Sequence, residues 1–417
     1  MRNYTALRAL KREIDKCVLC GGCTAGCPTY DLSRHEKDSA RGRVMLAKAL
    51  LEGELEPDGG LMEKFDHCLT CMNCVEACPA GAEPVKVITA ARSEIYRAMP
   101  KNSLTGLIFR RLLPDRKALG SFAALARIGQ KLLNHLPPSQ YLPFVRGSVK
   151  RKVPRIAPKT LRDIYPEILP PKGKPFMRVA YFTGCMADRT YQDTARAVME
   201  VLISAGVEIV LPKGEVCCGA PAWFAGDRDG AAAAEKNLHA FNPYTVDYIV
   251  TSCATCGSVL KDIYPELLGP RLLVKKLSEK VIDFQQLVAD RLWDRLEFKE
   301  TDGKPLKVTY HDPCHLSRGM KVKDAPREIL SRLPGVEFVE MEKPCACCGG
   351  AGAFSLKYYD DALEIGRQKA ESVADSGAAV VATACPSCRM QIGDLLNRYN
   401  GGGDVVHTAA IIRHLLR

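Results

Sequence analysis

From residue 177 to the C-terminus, short apolar runs alternate with stretches whose apolar positions recur every three or four residues. Arg178 to Thr183, Val207 to Leu211 and Tyr248 to Thr251 read as strands, and so do Lys307 to Tyr310, Val336 to Met341 and Ala378 to Thr383. Helical periods separate them, and strands alternating with helices predict α/β units with parallel pairing. Each block closes on a similar apolar strand-helix element, Val281 to Leu292 and Val405 to Leu416. Further upstream, positions 44, 46, 47, 50 and 51 of the stretch Arg41 to Leu51 are apolar, a helical spacing. Between these regions two short amphipathic helices are expected, near Leu104 to Leu113 and Phe122 to Leu136. The second places Leu125, Ile128, Leu132 and Leu136 on one face, which reads as a strap packed on the flanking domains.

The two strand-helix blocks carry the same cysteines in the same order. The first has Cys185, Cys217-Cys218-Gly219 and Cys253-Ala-Thr-Cys256, and the second has Cys314, Cys347-Cys348-Gly349 and Cys385-Pro-Ser-Cys388. The copies lie 129 positions apart at the first cysteine, 130 at Cys-Cys-Gly and 132 at Cys-x-x-Cys, an internal repeat. Packing tolerates replacement of a buried cysteine and fixes no such spacing, whereas chelation does. Adjacent cysteines point to different sides of the chain, which suits a multi-iron cluster better than one tetrahedral zinc. Zinc and a redox disulfide are the alternatives, and each Cys-x-x-Cys by itself also fits a thioredoxin-like dithiol at a helix N-terminus.

Residues 1 to 98 hold the most specific motif. Cys17-Val-Leu-Cys20-Gly-Gly-Cys23-Thr-Ala-Gly-Cys27-Pro28 and Cys68-Leu-Thr-Cys71-Met-Asn-Cys74-Val-Glu-Ala-Cys78-Pro79 both match C-x2-C-x2-C-x3-C-P. In that pattern three close cysteines wrap one cubane and the fourth serves the other. It assigns Cys17, Cys20, Cys23 and Cys78 to one [4Fe-4S] cubane, and Cys68, Cys71, Cys74 and Cys27 to the second. Arg41 and Arg43 read either as charge compensation for a cluster or as ordinary ion-pairing residues. His311, Asp312 and His315 flank Cys314 and suit outer roles, such as a hydrogen bond to a cluster or a loop cap. Cys345 is the one thiol outside both patterns, an alternative ligand or an inert buried group. No side chain stands out as catalytic.

Composition narrows the picture. A chain of 417 residues with 19 clustered cysteines describes metal sites in a reducing compartment rather than a disulfide scaffold. Neither a secretory signal nor an apolar run of about 18 residues is present, so a cytoplasmic protein is expected. The net charge of +11 is concentrated between residues 97 and 178, where 18 lysines and arginines face three carboxylates. Few aromatics and no reading motif accompany that charge, which argues against nucleic acid. An acidic partner or the anionic inner face of a membrane, met peripherally through 97–178, suits it better. Cys348-Gly-Gly-Ala-Gly-Ala-Phe354 lacks G-x-G-x-x-G spacing, and no Walker A motif occurs. Redox centres without a flavin or nicotinamide motif describe a relay.

Two ferredoxin runs followed by two cysteine-rich repeats resemble the iron-sulfur subunits of glycolate oxidase and the D-type subunits of heterodisulfide reductase. Lactate-utilisation iron-sulfur proteins and the iron-sulfur subunit of anaerobic glycerol-3-phosphate dehydrogenase are similar. Cys17 to Tyr30, Ala40 to Leu46, Cys68 to Pro79, Tyr310 to Leu316 and Cys347 to Gly352 carry the resemblance. The resemblance implies an α+β multidomain chain: an all-helical two-cluster ferredoxin domain (1–98), similar in spacing to that of succinate dehydrogenase, a basic helical linker (99–175), and two α/β cysteine-rich CCG repeats (176–300 and 301–417). It implies electron transfer from an FAD-containing partner that oxidises glycolate or lactate, with no turnover of the hydroxy acid by this chain alone, onward to quinone, a membrane subunit or another acceptor. One or two further [4Fe-4S] clusters, non-cubane in the disulfide-reducing branch, would sit in the repeats. The helix around Arg41-Gly-Arg43 resembles the glycolate oxidase type, and the two complete Cys-x-x-Cys pairs resemble the disulfide-reducing type.

Overall fold

A computed structural model describes residues 4–99, 114–133, 154–227, 231–242, 244–352 and 354–417. The helix expected near Leu104 to Leu113 lies outside them. Up to residue 99 the described chain is helical throughout, its longest helices being Ala40–Glu52 and Pro84–Ala98. Ser39 caps the first by accepting from the Gly42 amide, and Gly53 ends it at φ 81°. Val44, Ala47 and Leu50 of that helix meet Phe65, Val87, Ile88, Ala91 and Ile95, with Leu7 and Ile14 closing the core. The periodicity read from the apolar positions is thus the buried stripe.

Both ferredoxin runs leave this bundle as loops with one backbone path. Leu19 and Thr70 take φ 57° and 53°, and Gly21 and Met72 take 85° and 62°, at matching positions of the two motifs. Glycine adopts that conformation freely, but leucine, threonine and methionine pay roughly 1 kcal/mol or more each. Strain repeated at equivalent positions marks loops whose thiols must converge.

Nine short strands follow among the described residues: β1 (Ile168–Leu169), β2 (Met177–Phe182), β3 (Val207–Val210), β4 (Tyr248–Thr251), β5 (Val281–Asp283), β6 (Leu306–Tyr310), β7 (Val336–Phe338), β8 (Val380–Ala382) and β9 (Asp404–Val406). The sheets run β1-β3-β2-β4-β5 and β7-β6-β8-β9. All pairs are parallel except β1-β3. Register repeats as the cysteines do: Val179 faces Ile209 and Tyr248, and Val308 faces Phe338 and Val380. The antiparallel β1 is an addition from the preceding segment that the apolar pattern did not announce.

Each repeat lends its closing element to the other. The helix Thr408–Leu415 packs on Gln192–Ser204 of the first repeat, and Phe284–Leu287 with its continuation packs on Asp324–Arg332 of the second. One core therefore holds Val179, Tyr181, Val308 and Tyr310 together.

The linker helix, Arg116–Leu133, corrects an expectation. Leu125 and Ile128, placed on its packed face by the helical spacing, are 69% and 52% exposed. Contact is made instead through Ala123 and the N-terminal end, where Arg116 donates to Lys213 O, Thr160 and Asp163. A stripe of apolar residues sets a preferred face only when a surface exists to receive it.

His407 caps the helix Thr408–Leu415, its Nδ1 accepting from the Ala409 amide at 3.0 Å. Burial pushes this histidine down to about 3. The unfolded chain takes up the proton below about 6.5 and the folded chain does not, so this residue costs stability as pH falls from that value, by roughly 1.4 kcal/mol per unit. Asp283, the equivalent cap in the first repeat, is raised by burial to about 6 and acts in the opposite sense between about 4 and 6. His407→Asn keeps a capping oxygen and removes the titration. Melting curves from pH 7 to 4 should show the variant gaining on the wild type toward acid, and parallel curves would contradict the assignment.

Candidate metal centres

Cys27, Cys68, Cys71 and Cys74 line one small pocket, with Arg43 and Asn73 on its wall. Burial pushes the Cys71 thiol up to about 11. Cys74 is raised well above the usual thiol range by burial and then by negative charge on Cys68, Cys71 and Cys27. Four thiols that repel one another's charge are held together for a cation to neutralise. Cys23 feels Cys17 and Cys27 in the same way. The runs interlace: Asn73 donates to Ala25 O, and a side chain on Gly22 would meet Ala77 O at 3.2 Å and Cys20 Sγ at 3.8 Å. Arg43 is buried and holds the loop by donating to Thr29, Asp38 O and Lys64 O, while Arg41 pairs with Glu36 and donates to Leu19 O. Both arginines hold the loops, and Arg43 also borders the cavity.

In the first repeat the thiols form a chain of close contacts. Cys185 Sγ lies 3.8 Å from Cys217 Sγ, and Cys218 Sγ lies 3.4 Å from Cys256 Sγ. Hydrogen bonds from Cys217 and then Cys256 pull the Cys218 thiol down to about 6. Gly184, at φ 67°, stands where an added side chain would come 3.0 Å from Cys256 Sγ. In the second repeat Cys348 is held low, first by Cys388, and Cys385 is held low, first by Cys253 of the other repeat. The two Cys-x-x-Cys turns touch directly, Ala254 N donating to Ala384 O at 3.0 Å. Each of these turns opens a helix, Ala254–Ser258 and Pro386–Tyr399, and of their four thiols only Cys385 is held low, Cys253, Cys256 and Cys388 being raised. Cys27, Cys68, Cys71 and Cys74, and the cysteines of the two repeats, thus form groups of soft donors suited to iron and sulfide, while among the described residues no thiol contact brings Cys20 or Cys78 to them.

Equivalent positions around the two groups differ in instructive ways. In the first repeat, Glu215 accepts from Thr183 and the Gly184 amide and pairs with buried Arg162, which also meets Asp188 at 3.2 Å. In the second, the residue 130 positions after Glu215 is Cys345, which donates to Asp312 Oδ2 at 3.2 Å, and Asp312 pairs with Arg327. The odd thiol therefore occupies the loop-anchoring position that a carboxylate fills in the other copy. Asn237 bonds Val216 N and Cys217 O; 132 positions later Lys369, buried, bonds Lys343 O and Pro344 O. Aligning the repeats position by position would have exposed these residues; cysteine spacing alone did not.

The helical domain meets the second repeat at its cysteines. Cys71 and Cys347 pack against one apolar group that includes Leu69 and Phe354. Arg318 donates to both Cys71 O and Cys345 O at 3.3 Å, and pairs with Glu76. Burial and then negative charge on Cys71 raise the Cys314 thiol. His315 sits at this junction, its ring nitrogens 3.2 Å from Thr70 O and Thr255 Oγ1, stacked on Phe224. Buried Arg92 ties Phe65 O and Cys68 O to Phe224 O. No described helix is long and apolar enough to cross a membrane.

A 4Fe-4S dicluster domain matches residues 13–82, and a cysteine-rich domain matches twice, at 179–261 and 308–393. The chain is 30% identical to a probable glycolate oxidase iron-sulfur subunit of Bacillus subtilis, over 96% of this chain and 93% of that one. It is 31% identical to a fumarate reductase (CoM/CoB) subunit of Methanothermobacter marburgensis, covering 94% and 70%. A dihydromethanophenazine:CoB--CoM heterodisulfide reductase subunit from Methanosarcina barkeri shares 28%, covering 94% and 91%.

Proposed function

Because this chain belongs to the family of iron-sulfur oxidoreductase subunits built from a 4Fe-4S dicluster domain and two cysteine-rich CCG domains, we propose that it is the electron relay of a flavin-dependent 2-hydroxy-acid dehydrogenase. As a member it carries several [4Fe-4S] clusters and works within an oxidoreductase complex. An FAD-containing partner would take the hydride from glycolate or lactate, a two-electron step that clusters do not accept directly, and flavin would pass the electrons on singly. Quinone or another acceptor would receive them.

In this reading Cys17, Cys20, Cys23 and Cys78 hold one cubane, Cys68, Cys71, Cys74 and Cys27 the other, and the five cysteines of each repeat a further cluster. Residues 1–98, 99–175, 176–300 and 301–417 are its working divisions. The observation that carries it is the contact of Cys71 with the Cys314 and Cys347 side of the second repeat, a continuous path from one cysteine group to the next. Arg318 and His315 keep that junction fixed. The basic stretch 97–178 is where an acidic partner or membrane surface would dock.

A second reading, reduction of a disulfide at the repeats, is favoured by the two complete Cys-x-x-Cys turns meeting at Ala254 and Ala384. Purifying the native complex separates the two. Flavin copurifying in proportion to the chain, and glycolate or lactate reducing the clusters, is expected. A flavin-free complex whose clusters ignore both acids would overturn the relay reading.

A further inference from the structure

A further difference between the repeats lies at the ends of β2 and β6. β2 ends on Phe182, whose ring stacks on Phe241 at 5.6 Å; 129 positions later stands His311, directly after β6. The fold therefore accepts an apolar ring here, and the histidine is not needed for packing. His311 is 2% exposed, and neither ring nitrogen makes a well-formed hydrogen bond. Leaving a buried polar group unsatisfied is costly. Its backbone is pinned by donation to Ala382 O at 2.9 Å, and near-complete burial confines the ring.

What the ring meets is sulfur. A His311 nitrogen, Cys348 Sγ and Cys388 Sγ all lie within 4.8 Å of one another, and all three residues are buried. Ligand atoms on one tetrahedral ion with bonds of about 2.0–2.3 Å stand roughly 3.5–3.8 Å apart. The trio closes to that spacing by moving about an ångström. An imidazole this close to two buried thiols, and in reach of a hydrogen bond to Cys348, completes a three-donor set suited to a metal.

Resting on the reading that the second repeat holds a cluster, we infer that His311 binds one of its iron atoms through a ring nitrogen, alongside Cys348 and Cys388. The C-terminal centre is then a mixed histidine-thiolate cluster, and that of the first repeat is all thiolate. Buried Lys369, standing where the first repeat has Asn237, adds positive charge behind the same loop. The C-terminal centre thus differs from that of the first repeat in having an additional nitrogen donor and a buried lysine behind its loop.

The test uses full-length holoprotein labelled with 15N-histidine, with iron and sulfide counted and pulsed EPR recorded on the reduced C-terminal cluster. A strong coupling from a directly bonded nitrogen is expected. It should survive His315→Asn and His407→Asn and vanish in His311→Phe, the residue of the first repeat. Should His311→Phe fail to assemble the cluster, a coupling that persists in both other variants still supports the assignment. A cluster present at full iron content with only weak nitrogen coupling, or with strong coupling lost in His315→Asn or His407→Asn, overturns the inference and leaves the cluster reading standing. Absence of iron from the second repeat overturns both.

Discussion

Serine at both Cys347 and Cys348 is expected to remove the iron of one whole cluster while the two ferredoxin signals persist. Cys347 lies on the Cys71 side of the loop and Cys348 on the Cys388 side, so the pair reaches two edges of the same donor group. Replacing both leaves Cys314, Cys385 and Cys388, and a serine hydroxyl is a poor substitute for a soft, readily ionised thiol. Burial already holds the remaining Cys314 thiol in its protonated form without metal, so the weakened site must bind iron in competition with protons. Iron and sulfide analysis of the reconstituted double variant measures the loss. Unchanged iron would mean that the second repeat holds no cluster on these residues.

Arg162→Met should destabilise the protein by on the order of 3–5 kcal/mol. Arg162, Glu215 and Asp188 are all buried, and Glu215 is raised above the usual carboxylate range by burial even beside the guanidinium. Removing the cation strands two carboxylates away from water. Glu215 then takes a proton or draws in solvent, and its bonds to Thr183 and the Gly184 amide, next to Cys185, loosen. Chemical denaturation of the variant should show the loss, with iron leaving the first repeat before the second. Adding Glu215→Gln should recover part of it, since an amide needs no counter-charge. A single variant within about 1 kcal/mol of the wild type, the range of an exposed pair, would contradict this account of the anchor.

Much of this architecture was legible because two periodicities coincide. The apolar runs located the parallel strands to within a few residues, and the cysteine offsets carried over to the strand register, Val179 and Val308 facing equivalent partners. Strand β1 escaped notice because two residues offer no period to read. The exposed Leu125 and Ile128 misled because helical spacing reports a stripe without its partner. The anchors around the cysteines, Arg162, Glu215, Lys369 and Arg92, were hidden for a different reason. Each is a charged residue far in sequence from the group it serves, and burial, which gives it meaning, is a property of the fold. His311 was visible beside Cys314, yet its neighbours Cys348, in a loop, and Cys388, in the first turn of a helix, stand 37 and 77 positions downstream.

The relay itself is tested most directly by holding the purified holoprotein, without partner, anaerobic with a reduced low-potential dye and offering a heterodisulfide or a quinone analogue. The account predicts that the quinone analogue is reduced, and that glycolate or lactate is oxidised only after a flavoprotein is added. Rapid reduction of the heterodisulfide, abolished when Cys385 or Cys388 is replaced, would contradict it.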